Sequence, residues 1–180
     1  MAITFHLYKN EEQLLIQFLT GQTWPYHGTA TLTEENVRNQ LKQGRYVSNE
    51  EQKTFWIQNE AGVYIGLIRV YDLADPTPLF DIRIGEKHRG HKYGLQTVIH
   101  LIEYVFTNYD VKIRIEGYTR ADNLAMRKTF HNAGFVKEAV HRKSWPSENG
   151  ELFDSIGYAI LKEDWVDNKT TPVQWNDLPY

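Results

Sequence analysis

The sequence predicts an α/β fold: a mixed, mostly antiparallel sheet of about seven strands with flanking helices, in which a long helix joins a parallel pair near the middle. Three observations predict it. Ile82 and Ile84 alternate with Asp81, Arg83 and Gly85 at the strand period of two. From Leu95 the period changes, and Val98, Ile99, Ile102, Val105 and Phe106 continue one helical stripe. Val111, Ile113 and Ile115 then alternate in a further strand.

The other elements follow in order. Ile3, Phe5 and Leu7 alternate with Thr4, His6 and Tyr8 in a first strand that ends at Lys9-Asn10. Asn10 or the acids after it open a helix carrying Leu14, Leu15 and Phe18, with Gly21 as its stop. Thr23-Trp-Pro-Tyr-His-Gly28 is a loop of turn formers and aromatics. Thr31 with Glu34 is a capping box for a second helix with Val37 and Leu41, ending before Gly44. Lys53 to Asn59 and Val63 to Val70 form a hairpin around Glu60-Ala-Gly62. Asp75-Pro-Thr-Pro78 then breaks the chain before Leu79. Asp122 or Asn123 caps a late helix whose Ala125, Met126, Thr129, Phe130 and Ala133 share a side until Gly134. Phe135 to Ser144 and Glu151 to Leu161 complete the sheet. Residues 1–165 are expected to form one domain, and 166–180 a tail packed on it or fraying from it.

Composition narrows the function. At 180 residues, 41% hydrophobic and 24% charged, the chain has the make-up of one globular domain. No run of apolar residues is long enough to span a bilayer, and the N-terminus lacks a secretion signal, so the expected location is cytoplasmic with no membrane partner. The absence of cysteine removes disulfides, zinc–thiolate sites and an acyl-cysteine intermediate. A net charge of −3 gives no general reason to bind nucleic acid.

Against that charge, the turn between the strand at Ile82 and the long helix is basic. Arg83, Lys87, Arg89 and Lys92 face one acid, Glu86, with glycines at 90 and 94. Unpaired amides at a helix start, beside cations, favour a phosphate. An ordinary β–α connection with solvated charges is the plain alternative. The spacing is neither that of a nucleotide P-loop nor that of a dinucleotide fingerprint. His88 and His91 have no carboxylate to complete a metal set, so no metal is expected.

Arg89-Gly-His-Lys-Tyr-Gly94 resembles the Arg/Gln-x-x-Gly-x-Gly/Ala pyrophosphate loop of the GNAT N-acetyltransferases, with Lys92 replacing the first motif glycine. Asn123-Leu-Ala-Met-Arg-Lys-Thr-Phe-His-Asn-Ala-Gly-Phe135 resembles the same family's late helix, and the element order matches from about Ile3 to Trp165. Trp24-Pro25, Asp154, Tyr158 and Trp165 are most similar to its ribosomal-protein-alanine N-acetyltransferase group.

The resemblance implies a splayed parallel strand pair that admits the pantetheine arm of acetyl-CoA. Ile82, Arg83 and Ile84 would pair with that arm. Arg89, Gly90, His91, Lys92, Tyr93 and Gly94 would hold its pyrophosphate. Asn123 would position the thioester or simply cap its helix, and Arg127 or Lys128 would reach the nucleotide end. An amine acceptor, a small molecule or a protein N-terminus, would lie against Trp24, Tyr26, His27, Trp145 and Asp154. Asp81, then Glu116, are the candidates for base or cation anchor. Phe130 and Met126 replace residues that carry hydroxyls in relatives, so the acid for the leaving thiolate is either Tyr118 as a substitute or water, a thiol being far more acidic than an alcohol. The expected activity is direct N-acetylation in a ternary complex, with a homodimer as the default assembly. A non-catalytic acyl-CoA-binding module is the alternative.

Overall fold

The computed structural model describes residues 2–175. The elements are β1 (Ile3–Leu7), α1 (Glu12–Thr20), α2 (Glu34–Lys42), β2 (Lys53–Asn59), β3 (Tyr64–Tyr71), β4 (Leu79–Ile84), α3 (Tyr93–Asn108), β5 (Arg114–Arg120), α4 (Leu124–Asn132), β6 (Val136–Pro146), β7 (Leu152–Leu161) and α5 (Lys162–Val166). The seven strands form one sheet in the order β1-β2-β3-β4-β5-β7-β6. Its neighbours run antiparallel except β4 and β5, as expected of a chain that α3 carries back across the sheet.

Helices cover both faces. On one, α3 buries Val98, Leu101, Ile102, Val105 and Phe106 against Ile57, Ile68, Phe80, Ile115 and Phe130. Ile99, expected on that stripe, is 48% exposed and lies off it. On the other face, Leu15, Ile16 and Leu19 of α1 and Val37 of α2 pack with Trp24, Tyr46, Trp56 and Leu67. Each such side chain contributes about 1.5–3 kcal/mol by leaving water, so the two clusters clamp the sheet between them.

Several boundaries differ from the sequence expectation for local reasons. Asn10 caps nothing: it takes a left-handed turn at φ 70°, and α1 begins two residues later. The capping box of α2 is built by Thr33 and Asn36, not Thr31 and Glu34. Val111 and Ile113 mimic a strand but are 73% and 60% exposed. Between them Lys112 is buried and donates to the carbonyls of Leu73 and Asp75, which fixes this stretch as a turn and delays β5 to Arg114. Lys162 starts the short helix α5, whose Trp165 packs on Phe106 at a centroid distance of 5.5 Å. The last five residues of the expected tail, 176–180, lie outside the described residues.

The parallel pair is the unusual seam. β4 and β5 share the single register Leu79↔Glu116. Glu116 N donates to Pro78 O at 3.0 Å and Ile113 N to Pro76 O at 3.1 Å, all at the start of the two strands. Beyond that point the strands part. The floor of the opening is packed tightly: a Cβ on Gly117 would lie 2.6 Å from the Phe130 ring and 3.0 Å from Phe80. Gly117→Ala should therefore destabilise the protein by about 2 kcal/mol and lower Tm by roughly 6 °C. Adding Phe130→Leu should recover part of that loss in thermal melts. A Gly117→Ala protein as stable as the parent would show that the floor has slack.

Candidate functional site

The opening frees backbone groups in the middle of the sheet. Gly85 N donates to Ile65 O at 2.8 Å, and this fixes the alternation along β4. Arg83, Asp81 and Leu79 bond towards β3, so the amide and carbonyl of Ile82 point towards the parted β5. Ile84 O faces the same way but accepts from Arg89 Nε at 3.0 Å.

At the top of β4, a short 3-10 turn (Glu86–His88) leads to the basic loop. Gly90 and Lys92 both adopt positive φ, 81° and 61°. Lys92 thus takes the conformation for which glycine is the usual choice. The first amide bonded at this helix start is Gln96 N, to Lys92 O at 3.1 Å. Among the described residues no acceptor serves the amides from Gly90 to Leu95. Six successive free amides at a helix start, with Lys92 beside them, form an anion nest.

This loop opens into a cleft of about 480 Å³. Its lining brings together Ile82, Arg83, Ile84, Arg89, Gly90, Lys92, Tyr93, Gly94 and Asn123 with the loop residues Trp24, Tyr26 and His27. Met126, Lys128 and Thr129 of α4 close the far side. His91 is exposed and lies outside this lining.

Other expected site residues are otherwise engaged. Arg89 spends its guanidinium on Ile84 O and on Thr23 O, the latter at 2.7 Å, and so ties β4 to the α1–α2 loop. Arg127 donates to Ala121 O at 2.8 Å and to Tyr158 OH at 3.3 Å, outside the cleft. Asn123 caps α4 by accepting from Met126 N at 3.2 Å, and its amide donates to Thr119 Oγ1. Trp24 is buried with its indole N–H on Leu19 O at 2.8 Å, and its ring lies under both Arg83 and Arg89. Trp145 lies half-buried opposite Phe153 in the β6–β7 ladder, and Asp154 accepts from the amide of Lys143 at a left-handed kink; neither lines the cleft.

The carboxylates stand just beyond the lining. Asp81 Oδ1 lies 3.2 Å from His27 Nε2, and Oδ2 accepts from Arg45 Nη2 at 3.2 Å, with Arg83 Nε 3.9 Å away. Burial pushes the Asp81 carboxyl up. The His27 hydrogen bond and the charges of Arg83 and Arg45 outweigh it and hold the group well below the usual carboxylate range. His27 Nδ1 is buried without a hydrogen-bond partner. On β5, Glu116 pairs with Arg114 at 3.1 Å and accepts from Tyr118 OH at 3.1 Å, while Arg114 also holds Glu138 at 2.6 Å. Burial first, then the Glu116 charge, raises the Tyr118 hydroxyl.

Arg120 was not visible as a site residue in the sequence. It chelates Asp122 at 3.0 and 2.6 Å, donates to Pro25 O at 3.1 Å, and lies 5.4 Å from the Tyr26 ring centroid. The acid two positions after a strand-end arginine was the available signal. Arg45 gave none, since its partner is 36 positions away.

An opened parallel seam above a nest of amides, continuous with an aromatic-walled recess, is the architecture of a domain that transfers acyl groups from a phosphorylated thioester. Residues 3–136 match the family model described as the Acetyltransferase (GNAT) domain. The chain belongs to the GNAT acetyltransferase family, whose chemistry is acetyl transfer from acetyl-CoA to an amine. No curated protein matches it in sequence. Among solved structures, the chain is similar to spermidine N-acetyltransferase from Vibrio cholerae in complex with CoA and spermine. That match has TM-score 0.76 and 15% identity, over 91% of this chain and 98% of that one. It is also similar to spermidine/spermine N-acetyltransferase SpeG from Vibrio cholerae in complex with manganese ions, with TM-score 0.74 and 15% identity over 92% and 96% of the two chains. At that identity the likeness shows the fold.

The Asp81 cluster yields a stability prediction. A carboxyl whose folded pKa is depressed adds stability above its unfolded pKa and loses it as pH falls towards the folded one. Asp81→Asn should cost on the order of 3 kcal/mol at neutral pH, because it strands the arginines around it. It should also flatten the loss of stability below about pH 4. Urea melts across pH check both, and an unchanged acid limb would show that Asp81 is not the titrating group.

Proposed function

We propose that the chain acetylates a primary amine by direct attack, with acetyl-CoA and the acceptor held together in the cleft. The observation that carries this reading is continuity: one cavity is lined by the basic turn, the open edge of β4 and the Trp24–His27 loop. With no cysteine in the chain, no thiol is present to carry the acetyl group between substrates.

Acetyl-CoA, when bound, supplies an activated acetyl thioester. The free amides of Gly90 to Leu95 and the Lys92 ammonium fit its pyrophosphate, and the amide and carbonyl of Ile82 fit the pantetheine arm as a strand would. Tyr26 and His27 form the acceptor wall. The β6–β7 hairpin props it from outside, where Glu148 accepts from Ala30 N at 2.8 Å. That hairpin also carries Trp145 and Asp154.

His27 is the best placed base. Asp81 orients it through Nε2, and the buried, unpartnered Nδ1 is left to take the ammonium proton from an acceptor packed against the ring. Asp81 itself, held well below the usual carboxylate range, is too weak a base for this step. Tyr118 stays protonated at neutral pH and serves as a donor on the same face. The acceptor is an amine without further positive charge, which sets a protein N-terminus, as in the ribosomal-protein-alanine group, or a small amine bearing a carboxylate before a polyamine. Arg45, Arg69 and Arg83 around Asp81 repel a polycation.

Met126 and Phe130 bring no hydroxyl to the site, which favours a non-catalytic module as the second reading. Release of CoA from acetyl-CoA in the presence of amines separates the two. His27→Ala should lower kcat by about 10²–10³-fold with the KM for acetyl-CoA little changed. Lys92→Glu should do the reverse, raising that KM by about tenfold. A full-rate His27→Ala enzyme would remove His27 from the mechanism, and acetyl-CoA binding without release for any amine would leave the module.

A further inference from the structure

Four guanidinium nitrogens on the α1–α2 face of the sheet are out of solvent without a hydrogen-bond acceptor: Arg45 Nε, Arg69 Nε, and Nε and Nη1 of Arg83. They surround one carboxylate. Asp81 reaches Arg45 at 3.2 Å and Arg83 at only 3.9 Å, and it stands opposite Arg69 in the β3–β4 register. Its other oxygen is taken by His27. Tyr46 and Tyr71, the remaining titratable groups that act on these arginines, carry no charge at neutral pH. Three cations therefore share one anion.

The three are not equivalent. Arg45 has its close pair with Asp81, and Arg69 donates to Arg45 O and Gln52 Oε1, both at 3.2 Å. Arg83 has neither. It is 6% exposed, it lies 5.0 Å from the Trp24 ring centroid, and it is the member of the three that lines the cleft. A buried cation without acceptors carries a desolvation cost that a ligand anion can remove. A planar guanidinium suits a carboxylate.

We propose that Arg83 reads a carboxylate carried by the acceptor, so that the substrate is a small amine with a carboxylate at its other end. The assignment rests on the transfer reading above, with the amine end at His27 and the anionic end at Arg83.

Calorimetric titration of the CoA-bound protein and CoA release from acetyl-CoA test it together. The probes run from glycine to γ-aminobutyrate, with alkylamines and diamines of matching length as controls. At least one amino acid should bind and react about tenfold or more better than its matched controls, because a site with unpaired donors rejects a ligand lacking the partner. In Arg83→Gln that preference should shrink to about twofold. Arg83→Lys keeps the charge without the planar fork and should retain part of the preference; it replaces Arg83→Gln if that variant melts early. Carboxylate-selective binding without CoA release would keep the Arg83 assignment and sink the transfer reading. Amines turned over with no carboxylate preference would do the opposite. An Arg83-dependent preference for succinyl-CoA over acetyl-CoA, with an alkylamine as acceptor, would move the carboxylate to the donor and overturn the assignment. Failure of every probe to bind would overturn it as well.

Discussion

The structure depends on a ladder that stops. β4 and β5 are held together at Leu79↔Glu116 and nowhere further along, which leaves unpaired backbone in the centre of a seven-stranded sheet. Such groups are costly when dry, so the break persists only because its surroundings hold it open. Below, Phe80 and Phe130 meet over Gly117 with no room for a side chain. Above, Arg89 takes the carbonyl of Ile84 and ties it to Thr23 O. At the side, Arg120 fastens the end of β5 to Pro25 O. Two arginines thus pin one loop to both strands, and the same contacts that shape the loop hold the strands apart.

That arrangement explains why Asp81 is so heavily partnered. It is on β4 next to the opening, where its strand has lost a neighbour and the loops fold in to replace it. His27 comes from one loop and Arg45 from the other, 54 and 36 positions away. The carboxylate is a point that both loops share on the sheet. A carboxyl whose ionised form is so strongly favoured is a weak proton acceptor, because a good base has a pKa near the working pH. In the proposed mechanism the attachment and the proton transfer therefore fall to different side chains, with the imidazole, which lines the cleft, bonded to the carboxylate behind it.

Much of this was legible in the sequence. The change from period two to the helical stripe located β4, α3 and the turn between them to within a residue or two. The cation count in that turn pointed to an anion, and the free amides from Gly90 to Leu95 would suit one. What the residues could not reveal was where each cation points. Arg89 matches its motif yet serves as a strut, and Lys92, which departs from the motif, adopts the left-handed backbone expected of glycine. Val111 and Ile113 imitated a strand because alternation was present, while the deciding contact, Lys112 on two distant carbonyls, is long-range. Asp81 was visible as an acid in the right place; its partners were not, because both come from loops without periodicity.

The distribution of hydroxyls gives the two faces different tasks. On the α4 side of the cleft, Met126 has no proton to give, and Thr129 donates its own to Ala125 O. Phe130 is sealed in the core, stacked on Tyr158 at 4.6 Å. That side presents amides, Lys92 and Lys128, which suit phosphate and little else. The opposite side presents the imidazole of His27, the buried Arg83 and, at the neighbouring strand, the Tyr118–Glu116 pair. On the reading proposed above, proton handling and acceptor recognition fall to the α1–α2 face. Among the described residues the parted strands open a route between the faces, and the proposed transfer places the reacting bond at this gap, where donor and acceptor can meet.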